Sequence, residues 1–363
     1  MKRVALIFVL FILCKAAFAL PTRLDTIDQR LYDHAKNAPA EVSQDIDKLV
    51  EYLKIPASNK RDIAKTFSYW IMQNISYDIE AFFNNSYNQD GITGTLRDKK
   101  GVCQDYSELF KAMCDRADIP CYFIAGYAKA FNYIPGTRFT KSNHAWNIIL
   151  LDNNYFLMDL TWSSGYIANI GNIWRYFLKP DPTQFFADPA VFIEKHMPTD
   201  PKWQLLTHPV SMNTFLNADN RQQMLSEQSR YFNFRDSIKM FEQLSKEDQE
   251  LKAADDAYHF YPVMSDYAIQ YYNSAVNYSN SAIDFYNAAV SSYNKAIANK
   301  DVAKPVFDYT EDGISKAMNN YNTAIRLLAK IHHYSDNQID ADELLSRCNK
   351  GVEALKDLLL TLK

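Results

Sequence analysis

Gly101-Val102-Cys103-Gln104-Asp105-Tyr106 is the stretch on which the reading of this chain turns. A glycine turn delivers a cysteine to the start of a helix, whose inward face then carries Tyr106, Leu109, Phe110 and Met113. The positive end of the helix dipole favours a thiolate at that point. A thiolate is the nucleophile that acyl transfer from an amide requires. Gly-x-Cys by itself more often marks a packed core cysteine, so its partners decide.

Downstream, Asp118-Ile119-Pro120 leads into a strand over 121–128. Two more strands are expected over 143–151 and 155–161, with Asp152-Asn153 as the turn between them. His144, in Asn143-His144-Ala145-Trp146-Asn147, stands early in the second strand, and Asp159 stands late in the third. With an even-numbered loop the two side chains share a face about one diagonal apart, close enough for a carboxylate to orient an imidazole. Each residue alone has a plain structural reading, His144 as a strand histidine and Asp159 as an edge carboxylate. Together, in the order Cys103, His144, Asp159 on helix, strand and strand, they read as a catalytic triad. Asp159 fixes the tautomer and His144 takes the proton from Cys103.

That order resembles the transglutaminase-like superfamily, whose core sets a cysteine on a helix against a sheet carrying His and Asp. Further stretches look like the bacterial branch related to the kyphoscoliosis peptidase. They are Trp70 through Asp78 (WIMQNISYD), Asp159-Leu160-Thr161-Trp162, Phe177-Leu178 through Pro182, and His196-Met197-Pro198 with Trp203-Gln204-Leu205-Leu206. The resemblance covers about residues 40–210 and implies Cys103 as nucleophile, His144 as general base and acid, and Asp159 as the orienting residue. The implied chemistry passes through a thioester, which water (hydrolysis) or an amine (transamidation) resolves. The oxyanion donors stay open among the backbone N–H of Cys103 and the side chains of Trp70, Trp146 and Trp162.

Upstream of the core, apolar spacing predicts helices over 41–54 and from Asn59-Lys60 onward, with Ile63, Phe67, Trp70 and Ile71 on one face. Residues 84–100, with Gly91 and Gly94, read as a loop. At the amino terminus, Lys2 and Arg3 precede an apolar run from Val4 to Cys14 and the small-residue string Ala16-Ala17-Phe18-Ala19. This is the pattern of a secretory signal peptide cleaved after Ala19, since the run is far short of the roughly 20 residues that span a bilayer. Cleavage removes three of the 39 basic residues and none of the 43 acidic ones, leaving a net charge of −7 and four cysteines. Four cysteines in a chain of this length do not make a disulfide framework, though Cys114 and Cys121 are near enough in sequence to pair.

From about Asn217 the sequence is nearly glycine-free with helical periodicity. Residues 271–298 fall into four sevens, with Ala275, Ala282, Ala289 and Ala296 recurring beside a β-branched residue and Asn273, Asn280, Asn287 and Asn294 recurring with them. The phrase returns as Tyr321-Asn322-Thr323-Ala324-Ile325, after Lys304-Pro305 and Gly313 have broken the pattern. A narrow seam of this kind packs helices closely, within an antiparallel bundle or against a partner protein.

The composition agrees with two unlike parts. The chain of 363 residues is 47% hydrophobic, and seven of its nine glycines lie between Gly91 and Gly171. A net charge of −4 argues against nucleic-acid binding. No later segment is apolar enough to span a membrane. There is no phosphate loop or dinucleotide fingerprint, and His332-His333 lacks a sound metal-ligand spacing, so no cofactor is expected. Asn74, Asn84 and Asn277 open formal glycosylation acceptors.

The sequence therefore predicts a signal peptide over 1–19, an α+β papain/transglutaminase-like cysteine-protease core over 20–215 and an all-α helical bundle over 216–363. The function expected is an exported or periplasmic thiol acyl-transfer enzyme, a peptidase or transglutaminase in type, acting on a protein or peptide amide. A non-catalytic binding scaffold and a cell-wall peptide amidase are the alternatives. The helical half is a candidate surface for a protein partner.

Overall fold

The structure, a computed structural model, describes residues 28–84, 86, 90–131, 133–298, 304–334 and 339–361. The expected signal peptide lies outside the described residues. Asp28, Asp45 and Asn59 each turn a side-chain oxygen onto the free N–H groups of the helix that follows, starting α1 (Gln29–Lys36), α2 (Ile46–Lys54) and α3 (Lys60–Asn74). Helix α2 begins later than its apolar spacing suggests, because residues 40–44 form turns ahead of the Asp45 cap. Leu49, Val50 and Leu53 of α2 share one core with Phe67, Trp70 and Ile71 of α3.

Strand β1 (Ser76–Tyr77), α4 (Ile79–Asn84), α5 (Gly91–Asp98), β2 (Lys100–Gly101) and α6 (Cys103–Arg116) follow. Where a loop was expected from Gly91 and Gly94, both glycines lie in α5. Leu96 on that helix joins the main core, and its burial outweighs the poor helix propensity of glycine. The short parallel pair β1–β2 sets Tyr77 opposite Gly101, two residues before Cys103.

The antiparallel sheet has the order β8-β5-β4-β3-β9, built from β3 (Cys121–Ala128), β4 (His144–Leu151), β5 (Asn154–Met158), β8 (Phe185–Ala187) and β9 (His196–Pro198). Between β5 and β8 the chain forms α7 (Leu160–Ser164) and the hairpin β6 (Gly165–Ile170)–β7 (Ile173–Leu178), and α8 (Pro189–Phe192) precedes β9. Asp152 and Asn153 both take left-handed backbone, φ 47° and 62°, as a two-residue hairpin turn needs. Strand β5 stops at Met158 and does not reach Thr161. Its pairing with β8 shifts register there, and Asp159 turns its side chain onto the Trp162 N–H to cap α7.

Helices and sheet pack through β4. Ile149 and Leu151 face the helical core, while Trp146 and Ile148 pack with Ile124, Trp203 and Ile238 on the other side. Coverage of both faces explains why His144–Leu151 reads as an almost continuous apolar run. Asn147 Nδ2 donates to the Ser107 carbonyl at 3.1 Å, tying β4 to α6.

Beyond the sheet come α9 (Met212–Asn217), α10 (Arg221–Leu225), α11 (Phe234–Glu242) and α12 (Lys246–Phe260). Residues from this segment share cores with the first half: Phe215, Met224 and Val263 pack with Tyr127 and Met197, and Ile238 packs with Trp203. The junction is also polar. Lys202 is buried with Asp200 and reaches Asp256 of α12 at 3.2 Å, while Asp266 accepts from Ser142 N and Oγ, both at 2.9 Å.

The four sevens form one helix, α13 (Ala268–Ala298), followed by α14 (Lys304–Ala329) and α15 (Ala341–Thr361). Ala275, Ala282 and Ala289 are buried, packed in cores with Ala324, Ile314 and Ala317 of α14. The repeated asparagines are exposed. Gly313 does not break a helix, as expected from the sequence, but sits inside α14. A Cβ there would stand 2.7 Å from the Ala289 Cβ, so the seam itself requires glycine. Among the described residues no helix is long and apolar enough to cross a membrane.

Candidate active site

Cys103 is the first residue of α6 and is partly exposed. Asp105 accepts the Val102 N–H at 2.7 Å, and the Tyr106 hydroxyl donates to the Ile75 carbonyl at 2.7 Å, so this helix start is fixed to the end of α3. Among the described residues the other cysteines, Cys114, Cys121 and Cys348, are buried and also free. Cys114 and Cys121 are neighbours, and burial, with the adjacent Cys121 thiol, pushes Cys114 well up from the ordinary thiol range.

His144 opens β4 opposite Gly126 of β3. Its Nε2 meets Asp159 Oδ2 at 2.8 Å, with His144 8% exposed and Asp159 fully buried. Asp159 reaches that place as the cap of α7, not from the strand. Burial alone would lower the His144 imidazole. The Asp159 charge and hydrogen bond, joined by a hydrogen bond with Cys103, outweigh it and raise the pKa to about 10. Burial alone would raise the Asp159 carboxyl, but His144 and His196 hold it well below the usual carboxylate range. With Nε2 engaged by Asp159, Nδ1 is the nitrogen left for the thiol.

Asp159 has a second histidine. His196 Nε2 lies 2.9 Å from the same Oδ2 atom, while Oδ1 accepts the Trp162 N–H at 3.0 Å. His196 is 37 residues beyond Asp159 and was read from sequence only as part of a downstream motif; nothing in its spacing marks it as a member of the site. Three donors therefore converge on one buried carboxylate, and hydrogen bonding accounts for the arrangement.

A cavity of about 900 Å³ adjoins these groups, lined by Tyr77, His144, Trp162 and His196 together with aromatic side chains such as Phe82 and Phe131. Of the three tryptophans considered as oxyanion donors, Trp70 and Trp146 have their indole N–H sealed in the core, and Trp162 lines the cavity. Sequence reasoning missed Tyr77. Burial first, then the charges of Cys103 and Asp159, push its hydroxyl up, so it stays a donor.

A second cluster lies far along the chain. His332 Nδ1 and His333 Nδ1 stand 2.7 and 3.0 Å from the two oxygens of Asp342, all three at the surface. These side chains are close enough together to hold a cation. Tertiary contact supplies the carboxylate that the sequence spacing did not.

The pattern of the transglutaminase-like superfamily matches residues 47–160, and this region is a transglutaminase-like domain homologous to kyphoscoliosis peptidase. The mouse kyphoscoliosis peptidase is 32% identical over 195 residues, covering 53% of this chain and 29% of that protein. The human kyphoscoliosis peptidase is 34% identical over 173 residues, covering 47% of this chain and 26% of that protein. A solved structure described as a TGase overlaps 39% of this chain and 35% of its own, at 16% identity and a TM-score of 0.26. The chain spans less than a third of the length of the two peptidases it matches.

Proposed function

We propose that this chain is a thiol acyl-transfer enzyme acting on protein or peptide amides, with Cys103 as nucleophile, His144 as base and acid, and Asp159 as the orienting carboxylate. The observation that carries this reading is the buried His144–Asp159 hydrogen bond at 2.8 Å, on an imidazole that also feels Cys103 and lines a cavity. The Cys103 proton passes to His144 Nδ1, and Sγ bonds to the carbonyl carbon. The oxyanion is met by the N–H groups at the start of α6 and by the Tyr77 hydroxyl. As the tetrahedral species collapses, the C–N bond breaks, His144 gives its proton to the leaving amine and a thioester remains. Water then enters, His144 takes its proton, and the acid and free thiol are released. Hydrolysis is preferred because Cys103 is partly exposed and its base, His144, lines a large cavity that water can enter. Export rests on the residues 1–19 pattern and is part of the same proposal.

The test is acylation with p-nitrophenyl acetate, read by peptide mass spectrometry. Acetyl-Cys103 is expected in the wild type, absent from Cys103→Ala and sharply slowed in His144→Ala. Release of p-nitrophenol at an undiminished rate from Cys103→Ala would refute the assignment. A wild type that never acetylates at Cys103 would mean the fold serves as a binding platform.

A further inference from the structure

We propose that His196 is a positioning residue of this site: it gives an N–H to Asp159 Oδ2 beside the one from His144, and so limits how tightly the carboxylate holds the His144 proton. The inference rests on the reading of His144 and Asp159 given above. His196 Nε2 is 2.9 Å from Asp159 Oδ2, and Nδ1 is 3.3 Å from the Phe192 carbonyl. A neutral imidazole has one N–H. The shorter contact, to a charged acceptor, claims it, because a nitrogen lone pair at 2.9 Å from a carboxylate would be repelled.

Burial pushes the His196 imidazole down, which keeps it neutral. The titratable groups acting on it from neighbouring elements are Asp159, at the cap of α7, and His144, on β4. Lys195, its neighbour in the chain, sends its ammonium over the Trp162 ring at 5.9 Å. His196 is thus a donor with no proton of its own to exchange across the neutral range.

The ring has little freedom to turn away. It stacks on Phe192 with centroids 3.9 Å apart and planes 14° from parallel, and Trp146 and Trp162 close two other sides at 5.4 and 4.3 Å. Its backbone is fixed as well, since β9 pairs with β3 and sets His196 opposite Ala128. Asp159 cannot avoid the second donor either, because Oδ1 is already committed to the Trp162 N–H. One oxygen therefore divides its negative charge between two imidazoles. Taking away the His196 N–H returns that charge to His144 and makes its proton harder to release.

The experiment compares two kinds of substitution in the full chain. His196→Phe keeps a ring for the stack but has no donor, and His196→Met serves the same purpose should the phenylalanine variant not fold. His196→Gln keeps a donor. The readouts are the His144 titration, followed by NMR of carbon-labelled imidazoles, and the pH at which acetyl-Cys103 is hydrolysed, a step that needs neutral His144 as base. In the donor-free variants both are expected to move up by about one pH unit, the scale of one charge-assisted hydrogen bond. His196→Gln is expected to leave both near the wild-type position. A folded donor-free variant whose His144 titration stays in place overturns the proposal, even if its turnover is slower. Failure of the wild type to form acetyl-Cys103 would instead overturn the proposed function, and the NMR titration would still test His196.

Discussion

Asp159→Asn isolates the charge at the centre of the site. Asparagine keeps the shape but offers one acceptor oxygen and an NH2 group where the carboxylate offers two oxygens. Those two oxygens now receive three N–H groups, at 2.8, 2.9 and 3.0 Å. His144 stands raised from 6.5 to about 10 despite its burial. That interval corresponds to about 5 kcal/mol of preference for the charged imidazole. Without the carboxylate, burial is opposed chiefly by Cys103 alone, and His144 should titrate below about 6.5. At pH 7.5 the charged fraction then drops from nearly complete to less than about a tenth. NMR of labelled histidines reads this directly, and iodoacetamide alkylation of Cys103 at pH 7.5 should slow on the order of a hundredfold as the imidazolium is lost. A folded Asp159→Asn protein whose His144 is still charged at pH 8 would refute the reasoning. The pair also has a stability signature. His144, raised in the fold, contributes fully below about pH 6.5 and loses its contribution as pH rises through about 10. Asp159, lowered in the fold, contributes above about pH 4 and loses its contribution as pH falls through its depressed value. The difference in Tm between wild type and Asp159→Asn should therefore be greatest from about pH 4 to 6.5 and shrink on either side.

Three other changes test particular contacts. Tyr77→Phe should slow acetylation of Cys103 by p-nitrophenyl acetate about 100-fold or more while leaving iodoacetamide alkylation, which forms no oxyanion, unchanged; equal effects on both would remove Tyr77 from the chemistry. Gly126→Ala places a Cβ 2.4 Å from both the Met197 carbonyl oxygen and a Trp146 ring carbon, so it should cost about 1–3 kcal/mol in urea unfolding by forcing β9 away from β3. A variant as stable as wild type would show that β9 can shift freely. Lys202→Met leaves buried Asp200 without its cation, next to a half-buried Asp256 that keeps only Lys252, and should destabilise by about 3 kcal/mol at pH 7. The loss should lessen toward pH 5, because burial has already pushed Asp200 up to about 6 and protonation relieves the repulsion.

Which residues were legible in advance follows from the range over which each signal acts. The place of Cys103 at a helix start was legible from the glycine turn before it, a signal set within a few residues. His144 and Asp159 followed from strand parity across a two-residue turn, and the contact between them is present even though Asp159 acts from a helix cap, beyond the end of its strand. The heptads of α13 were legible because a repeat of seven must bury one stripe, and Ala275, Ala282 and Ala289 are that stripe. Glycine punctuation misled twice. Gly91 and Gly94 lie in α5, which Leu96 anchors in the main core, and Gly313 lies in α14, where close approach to Ala289 demands a residue without a side chain.

The sequence by itself determined the α+β core, the helical carboxy-terminal part and the order Cys103, His144, Asp159, because periodicity, capping and turn chemistry are local properties of the chain. Only the tertiary structure decided that a second imidazole, His196, shares the Asp159 oxygen, that Tyr77 faces the cavity, and that α9–α12 lean on the sheet. Those contacts join residues tens of positions apart through the closing of β9 onto β3 and of β1 onto β2. Their energy comes from burial and hydrogen bonding between distant segments, which leaves no period in the sequence to read.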